Sequence, residues 1–255
     1  MTKTIFITGA SSGIGKEVAL NFSKNKWLVL AAARRVELVK KIALEAKKKK
    51  DGIIIPIKLD ITDNKNVKKV IKKYFNLYGV PDISLLNAGT NNPNEKKVIN
   101  LDETLDIFNV NYFGTLNCIN AILPSLEFSR KKTQLAIMSS VAGYRGLPYA
   151  AAYCSSKAAL INLAESMYNL CREKSINIRL INPGFIKTPL TDKNKFTMPL
   201  IISSKKAGAI IYNKLNYSKA FEINLPWFFC FMMKILRILP YGFYFRITSK
   251  LLKKL

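Results

Sequence analysis

A tyrosine and a lysine four positions apart, Tyr153 and Lys157, form the pair with the clearest chemical potential. The residues around them have a helical pattern, so the two side chains project from the same face on adjacent turns. A free tyrosine is a poor base because its pKa is about 10. A neighbouring ammonium stabilises the phenolate, and we expect it to lower this pKa towards a value useful for proton transfer. The spacing alone is common on helices, and a surface pair is the simpler interpretation.

The segment Thr8-Gly-Ala-Ser-Ser-Gly-Ile-Gly15 joins an apolar run to a helical pattern. Gly9 permits a tight turn, Gly13 lets the main chain approach a pyrophosphate, and Gly15 allows the helix and strand to pack closely. The first N–H groups of the helix offer donors and a positive dipole end to phosphate. A turn of this kind between a strand and a helix predicts a dinucleotide site, in preference to a structural loop.

Two arginines, Arg34 and Arg35, follow the next apolar run. Proteins that bind NAD usually carry an acid at this point, which accepts a hydrogen bond from the ribose 2′-hydroxyl. Here no carboxylate is present to repel a 2′-phosphate, and a guanidinium can bind it with charge-assisted hydrogen bonds. We therefore predict NADP as the cofactor, bound mainly through Arg34. The alternative is that both arginines are ordinary surface charges.

The composition excludes several other chemistries. The chain has no histidine, which removes Ser-His-Asp and Cys-His catalysis. None of its four cysteines forms a CxxC pair, so we expect neither a metal site nor a disulfide framework. The apolar run at residues 4–8 already has the character of a core strand. We therefore expect no signal peptide and a reducing, cytoplasmic location.

Strands alternate with helical stretches over most of the chain. Apolar runs predict strands at 4–8, 27–33, 53–59, 83–86, 135–139 and 176–181. Helical patterns cover 14–24, 36–50, 65–77, 101–126 and 150–173, of which 101–126 is either one long helix or a kinked pair. Such alternation requires crossover connections. It predicts an α/β fold with a doubly wound parallel sheet covered by helices on both faces.

Together these motifs resemble those of the short-chain dehydrogenase/reductase family. The resemblance covers residues 4–188 and rests on the Thr-Gly-x3-Gly-x-Gly turn, Asp60, Asn87-Ala88-Gly89, Asn111, Ser140, Tyr153-x3-Lys157 and Pro183-Gly184. It implies a Rossmann-type catalytic domain over 1–220, with a substrate loop at 188–220, that binds NADP and interconverts a carbonyl and an alcohol. One departure is Leu86, where many members have a second asparagine, and it suggests a slightly altered cofactor loop.

The resemblance implies roles for four catalytic residues. Tyr153 gives its proton to the carbonyl oxygen during reduction and takes it back during oxidation, while Ser140 hydrogen-bonds the same oxygen. Lys157 lowers the tyrosine pKa and holds the nicotinamide ribose. Asn111 positions a water that relays protons to the lysine, and Asn109 is the less favoured candidate for this role.

The cofactor residues follow from the same resemblance. Asp60 and Ile61 are expected at the adenine, and Ile186 and Thr188 at the nicotinamide carboxamide. The full set is Gly9, Ser11, Ser12, Gly13, Ile14, Gly15, Arg34, Arg35, Asp60, Ile61, Asn87, Ala88, Gly89, Tyr153, Lys157, Pro183, Gly184, Ile186 and Thr188. Taken alone, Asp60 could equally cap the helix predicted to begin at Lys65. No metal is expected, because the nicotinamide supplies the hydride.

The charge balance is strongly basic, with 41 Lys and Arg against 16 Asp and Glu and a net charge of +25. This favours binding to anions such as nucleotide phosphates or acidic lipids, with a general composition bias as the alternative. We predict no nucleic-acid binding, because no recognisable nucleic-acid module accompanies the charge. By analogy with the family, we expect a homodimer or homotetramer.

The C-terminal segment 221–255 differs from the rest of the chain. An apolar stretch at 225–233 is followed by further aromatic residues and by Lys250, Lys253 and Lys254. The stretch is shorter than the roughly 20 apolar residues of a transmembrane helix. It suits a segment that lies on an anionic membrane surface, peripheral on its inner face, with pocket closure and a subunit interface as alternatives. A reductase at a membrane would act on a lipophilic ketone or aldehyde. The alternative function is a non-catalytic NADP-binding sensor or scaffold.

Overall fold

A computed structural model describes residues 2–92, 98–129, 131–192, 194 and 198–252. The strands are β1 Thr4–Thr8, β2 Leu28–Ala33, β3 Ile54–Lys58, β4 Ile83–Leu86, β5 Thr133–Met138, β6 Ile176–Pro183, β7 Ile186–Lys187, β8 Ile202–Ser203 and β9 Glu222–Leu225. The helices are α1 Gly13–Lys24, α2 Val36–Lys48, α3 Asn64–Tyr78, α4 Leu101–Phe108, α5 Gly114–Glu127, α6 Ala151–Glu173, α7 Ser204–Tyr217, α8 Trp227–Ile238 and α9 Tyr241–Leu252.

Seven parallel strands form the central sheet, in the order β3-β2-β1-β4-β5-β6-β9. The chain begins in the interior of the sheet at β1, moves outward to β3, and then crosses back to β4 on the other side of β1. The winding direction therefore reverses between β1 and β4. Ligands of such sheets bind at this point, outside the carboxyl ends of the strands. The doubly wound parallel sheet predicted from the sequence is confirmed.

The six predicted strands are all present, with ends within two residues of those expected. The seventh strand of the central sheet, β9, was not predicted, and neither were the short strands β7 and β8, which pair with each other. Strand β9 pairs in parallel with β6, and its residues alternate between half-buried polar and buried apolar side chains. The strand therefore lacks the continuous apolar run that identifies the other strands. The sheet extends to Leu225, into the segment 221–255 that we expected to lie outside the catalytic domain.

Each face of the sheet carries its own apolar core, because successive side chains of a strand point to opposite faces. On one face Phe6 and Leu30 pack with buried residues of α3, α5 and α6. On the other face Ile5 and Val29 pack with buried residues of α1, α2 and α7. Helices thus cover both faces, and together the two cores fix the strand ends that carry the polar residues discussed below.

The helix predicted over 101–126 is interrupted by a π-helical turn at Asn109–Phe113, which joins α4 to α5. Such turns are rare and occur frequently at functional sites. The side chain of Asn111 is buried within this turn, whereas Asn109 is exposed. The structure therefore favours Asn111 over Asn109 as the asparagine that faces the interior.

The C-terminal segment forms the helices α8 and α9. The inner side of α8 buries Cys230 and Met233, and the inner side of α9 buries Tyr244. Among the described residues, no helix is long and apolar enough to cross a membrane. The predicted basic end at Lys253 and Lys254 lies outside the described residues.

Candidate active site

The glycine turn connects β1 to α1 at the carboxyl edge of the sheet. Gly9 has a φ of +69°, in the left-handed region, and a Cβ there would lie 2.8 Å from Cα of Ala88. A Cβ on Gly15 would lie 2.6 Å from Nδ2 of Asn87 and closer still to the main-chain oxygen of Gly9. Side chains are therefore excluded at both positions, and the turn lies directly against the end of β4.

Two polar side chains hold this turn in place. The hydroxyl of Thr8 accepts hydrogen bonds from the main-chain N–H groups of Asn87 and Ala88, at 3.0 and 3.1 Å. The amide of Asn87 donates in return to the main-chain oxygens of Thr8 and Gly9, at 3.1 and 3.3 Å. Asn87, one of the expected cofactor residues, thus also fixes the glycine turn to β4.

A cavity of about 450 Å³ runs along this edge of the sheet. Its size is within the range of small-molecule sites, roughly 300–1,000 Å³. The expected site residues that line it are Gly9, Ser11, Ser12, Gly13, Ile14, Arg34, Arg35, Asp60, Ile61, Asn87, Ala88, Gly89, Ser140, Tyr153, Lys157, Pro183, Gly184, Ile186 and Thr188. Gly15 and Asn111 are the two expected residues that do not line it.

Tyr153 and Lys157 lie on the first two turns of α6 and both line the cavity. Lys157 is only 3% exposed, and its Nζ donates to the main-chain oxygen of Met138 at 3.1 Å. The same Nζ lies 5.7 Å from the ring centroid of Tyr153. The hydroxyl of Ser139 donates to the main-chain oxygen of Lys157 at 2.8 Å, which attaches the helix to the end of β5.

Ser140 follows β5 and lines the cavity beside Tyr153. Its hydroxyl donates to the main-chain oxygen of Pro183 at 3.3 Å and accepts from the N–H of Ala142 at 3.1 Å. Burial raises the pKa of Tyr153 to about 12, against the opposing effect of a hydrogen bond with Ser140. Burial also lowers the pKa of Lys157 to about 8.

Burial outweighs the other influences on the pKa of Tyr153 in this structure, and the expectation that Lys157 lowers this pKa stays a prediction. Loss of hydration disfavours the charged form of each group, so it raises the pKa of the phenol and lowers that of the ammonium. The hydrogen bond with Ser140 is too weak to reverse this effect. Tyr153 is therefore protonated, and able to donate a proton, throughout the neutral pH range.

Asn111 lies behind the cavity lining, close to the lysine. A Cβ on Gly89 would lie 3.1 Å from Oδ1 of Asn111 and 3.5 Å from Nζ of Lys157. The asparagine amide bonds the main chain of Thr90, accepting at 2.7 Å and donating at 3.0 Å, and it also donates to Ser156 at 3.0 Å. These bonds fix the chain after β4. A role for Asn111 in a proton relay stays a prediction.

The two arginines after β2 line the cavity together. Nη2 of Arg35 donates to the hydroxyls of Ser12 and Ser11, at 3.2 and 3.5 Å, so its guanidinium lies across the glycine turn. The sequence favoured Arg34 as the main contact for a 2′-phosphate. The geometry makes Arg35 an equally good candidate for this contact, because its side chain joins the glycine turn to the end of β2.

Asp60 also lines the cavity, and its Oδ1 accepts from the N–H and the hydroxyl of Thr62, at 3.0 and 2.8 Å. The alternative assignment of Asp60 as a helix cap is wrong. Helix α3 is capped by Asp63, whose side chain accepts from the N–H of Asn66 at 3.0 Å.

The loop after β7 covers the glycine turn. A Cβ on Gly13 would lie 3.2 Å from Cγ2 of Thr188. The N–H of Thr188 donates to the hydroxyl of Thr191 at 2.9 Å, and this hydroxyl donates to the main-chain oxygen of Ile186 at 2.7 Å. Leu190 and Thr191 line the cavity, although the sequence did not predict them. Their position next to Thr188 was the signal that could have found them.

A family model described as short chain dehydrogenase matches residues 3–198. The chain belongs to the short-chain dehydrogenase family. Over 239 residues, covering 93% of each chain, it is 30% identical to an uncharacterized oxidoreductase of Myxococcus xanthus. It is 32% identical over 188 residues to an NADP-dependent 3-hydroxy acid dehydrogenase of Schizosaccharomyces pombe, covering 73% of this chain and 72% of that protein.

Solved structures agree with this assignment. The structure of ElxO with NADP bound has a TM-score of 0.76 and 27% sequence identity, and the match covers 88% of this chain and 98% of that chain. The chain is therefore a dehydrogenase that acts between CH–OH and C=O groups. This result favours an enzyme over the alternative of a non-catalytic sensor or scaffold.

In this dehydrogenase the C-terminal helices pack next to the cavity. A Cβ on Gly184, which lines the cavity, would lie 2.5 Å from Cδ1 of Phe229 on α8. Lys234 of α8 forms an ion pair with Glu222 of β9, and the hydroxyl of Tyr144 donates to Glu222 at 2.5 Å. Burial raises the pKa of Glu222, but its hydrogen bonds, foremost that of Lys234, outweigh burial and leave the pKa lowered. The helix is thus attached to the sheet by a charged group.

Proposed function

We propose that this dehydrogenase uses NADP to interconvert a lipophilic ketone or aldehyde and its alcohol, acting chiefly in reduction. The observation that carries the proposal is one cavity that combines the glycine turn, two arginines, and the side chains of Ser140, Tyr153 and Lys157. The choice of NADP is also supported by the name of the Schizosaccharomyces pombe relative and by the NADP bound in ElxO.

The residues around the glycine turn fit a phosphorylated dinucleotide. The main chain is bare at Gly9 and Gly13, and α1 begins here without an acidic residue in its first turn, so its N–H groups can donate to a pyrophosphate. Arg34 and Arg35 supply the positive charge that a 2′-phosphate requires. When bound, the cofactor supplies or accepts the hydride.

The proton chemistry is assigned to Tyr153. With a pKa of about 12, its hydroxyl keeps its proton at neutral pH and can donate it to the oxygen of a carbonyl group as that oxygen gains charge. The hydroxyl of Ser140 can turn from the main-chain oxygen of Pro183 and donate a second hydrogen bond to the same substrate oxygen. Lys157, with a pKa of about 8, remains mostly protonated at neutral pH and can return a proton to the tyrosine. The protonated phenol is the form of Tyr153 that reduction requires, and oxidation requires the phenolate.

The lipophilic substrate is inferred from the outer face of α8 and α9, which exposes large apolar side chains. Trp227 is 71% exposed, Phe231 53% and Ile238 80%, and Tyr241 on α9 is exposed as well. Residues 226–255 contain six lysines and arginines and no acidic residue. Aromatic side chains flanked by basic ones suit the headgroup region of an anionic membrane. A dehydrogenase bound there would meet substrates dissolved in lipid.

Assembly into a homodimer or homotetramer stays a prediction. It is supported by exposed apolar side chains on α4 and the π-helical turn, namely Leu101, Leu105 and Phe113.

The test is a panel of ketones and aldehydes of increasing chain length, in which NADPH oxidation is followed for the wild type and Tyr153→Phe. We expect the variant to lose about 10³-fold in kcat, because the proton donor is removed, while NADPH affinity changes less than about twofold. Tyr168→Phe is the matched control, because this tyrosine lies on the same helix and packs its ring against Phe221 at 5.1 Å. Near-normal turnover by Tyr153→Phe would refute the assignment.

A further inference from the structure

The residues 141–152 link Ser140 to Tyr153, and one side chain among them, Arg145, contacts both C-terminal helices. Nη1 of Arg145 donates to the main-chain oxygens of Leu236, Arg237 and Leu239, at 2.6, 3.2 and 2.7 Å. The last carbonyl groups of a helix have no partners within the helix, and they form its negative dipole end. Arg145 therefore caps α8 with both donors and positive charge.

The same guanidinium holds the first turn of α9. Its Cζ lies 3.9 Å from the ring centroid of Tyr244 and 4.9 Å from that of Tyr241. Tyr244 is buried, and its hydroxyl donates to the main-chain oxygen of Gly146, the residue after Arg145. A guanidinium can donate from its edge while its face stacks on an aromatic ring, and an ammonium cannot do both. Arg145 thus fixes α8 and α9 to each other and to residues 141–152.

The fixed helix pair also interacts with two residues that adjoin the active site, Gly184 and Cys154. Phe229 of α8 packs on Gly184 at the cavity wall, and its ring lies 5.4 Å from that of Phe185. On the other side, Tyr244 interacts electrostatically with Cys154, the residue that follows Tyr153 in α6. Burial raises the pKa of Tyr244, Arg145 opposes this effect, and Cys154 adds to it. A shift of the pair would therefore reach both sides of the active site.

We propose that Arg145 is a positioning residue that holds the pair α8–α9 against the cavity wall at Gly184, and thereby determines how tightly a lipophilic carbonyl compound binds. This inference rests on the proposed function. It assigns to the helix pair a second role beside its outer, exposed face. The inner face supports the cavity wall at Gly184, and Arg145 sets the position of this face relative to Tyr153.

The kinetic test compares Arg145→Met, Arg145→Lys and Arg172→Met, with decanal as the carbonyl substrate and NADPH as the reductant. Arg172 is an exposed arginine at the far end of α6 and serves as the control. We expect Arg145→Met to raise KM for decanal at least about tenfold, while kcat and the KM for NADPH change less than about threefold. Arg145→Lys should recover little, because it lacks the fork and the stacking face. An unchanged KM for decanal in Arg145→Met would overturn the proposal.

Hydrogen exchange provides a readout that does not depend on turnover. We expect Arg145→Met to speed amide exchange in both 241–252 and 141–152, because the two segments are held by one side chain. Faster exchange in 241–252 alone would show that Arg145 merely anchors the tail, and it would overturn a positioning role. If the wild type does not reduce decanal, the proposed substrate class fails for that aldehyde. Exchange in 141–152 then decides the role of Arg145.

Discussion

The glycine turn and the helix pair α8–α9 differ in what surrounds their residues. At Gly9 and Gly15 an added Cβ would collide with the main chain or a side chain of the same molecule, whereas a Cβ added at Gly242 on α9 would point into open space. The turn is thus fully determined by contacts within the chain. The outer face of the pair has large apolar side chains such as Trp227, 71% exposed, without neighbours to bury them. Its composition points to a partner outside the chain.

The largest expected effect tests the internal constraint at the turn. Gly15→Ala places a methyl group against the main-chain oxygen of Gly9 and Nδ2 of Asn87, so the turn must move. A turn that moves withdraws N–H groups from the phosphates, and a hydrogen bond to a charged group contributes about 1.5–3 kcal/mol. We therefore expect a loss of about 10- to 100-fold in NADPH affinity, measured by calorimetry. Gly242→Ala is the matched control, because it adds a methyl group to open space on α9. If both variants bind NADPH equally well, the turn is not the phosphate site.

The sequence predicted the turn and the sheet well because both depend on neighbouring residues. Three glycines after an apolar run indicate a tight turn that lets a strand and the following helix pack closely. The spacing of apolar residues indicates whether a segment is a strand or a helix. The strand β9 escaped this reasoning because Glu222 and Asn224 interrupt its apolar residues. Its place in the sheet depends on pairing with β6, which is about forty residues earlier (Leu180 faces Glu222).

Two features of the site depend on burial and long-range contacts, and no motif could reveal them. The pKa of Tyr153 is raised rather than lowered, because desolvation outweighs the hydrogen bond with Ser140. Arg145 caps a helix that begins more than eighty residues later in the chain, and the residues next to it in the sequence do not predict this contact. Spacing along the chain identifies which side chains lie close together. Their pKa values depend on burial and neighbouring charges, which only the folded structure gives.

A second prediction contrasts the arginines of the two regions. Arg34→Ser and Arg35→Ser each remove a positive charge from the cavity, and we expect the ratio of kcat/KM for NADPH to that for NADH to fall about tenfold in each. Arg35→Ser should also weaken NADH, because it releases Ser11 and Ser12 from the guanidinium. The control is Arg246→Ser on α9, which should leave the ratio unchanged. Equal ratios in all three variants would rule out a 2′-phosphate contact.

A third prediction concerns the buried lysine of the active site and an exposed lysine of the tail. Burial lowers the pKa of Lys157 from 10.5 to about 8, so its charge destabilises the folded state. Each unit of this pKa shift corresponds to about 1.4 kcal/mol of lost stability in the wild type. Lys157→Met removes this penalty but also loses some packing and the hydrogen bond to Met138. We therefore expect the variant to be more stable than the wild type by about 1–2 kcal/mol below pH 8. Lys250→Met, at an exposed position, should gain nothing.

The pH dependence follows from the same shift. Below pH 8 Lys157 is charged in both the folded and the unfolded state, so the folded wild type is destabilised by the whole cost of burying the charge. Between pH 8 and 10.5 the folded protein loses the proton first, so wild-type stability rises and the advantage of Lys157→Met disappears. The raised pKa of Tyr153 acts on both proteins alike and cancels in the difference. Thermal unfolding of the wild type and Lys157→Met at pH 7 and pH 10 measures the difference in stability between them. The same difference at both pH values would contradict the burial of a charged lysine.

The smallest expected effect concerns the exposed face of the helix pair. Trp227→Ser and Phe231→Ser remove apolar surface that we expect to enter the headgroup region, and each should weaken binding to vesicles of phosphatidylcholine and phosphatidylglycerol about three- to tenfold in sedimentation. Phe128→Ser is the control, because Phe128 is 90% exposed but lies outside the pair. Vesicles of phosphatidylcholine alone should bind weakly, since the basic residues contribute about 1 kcal/mol each near an anionic surface. Binding that is equal for all three variants would mean that the exposed face of α8 has another partner. The contrast with the glycine turn would then rest on a subunit contact instead of a membrane.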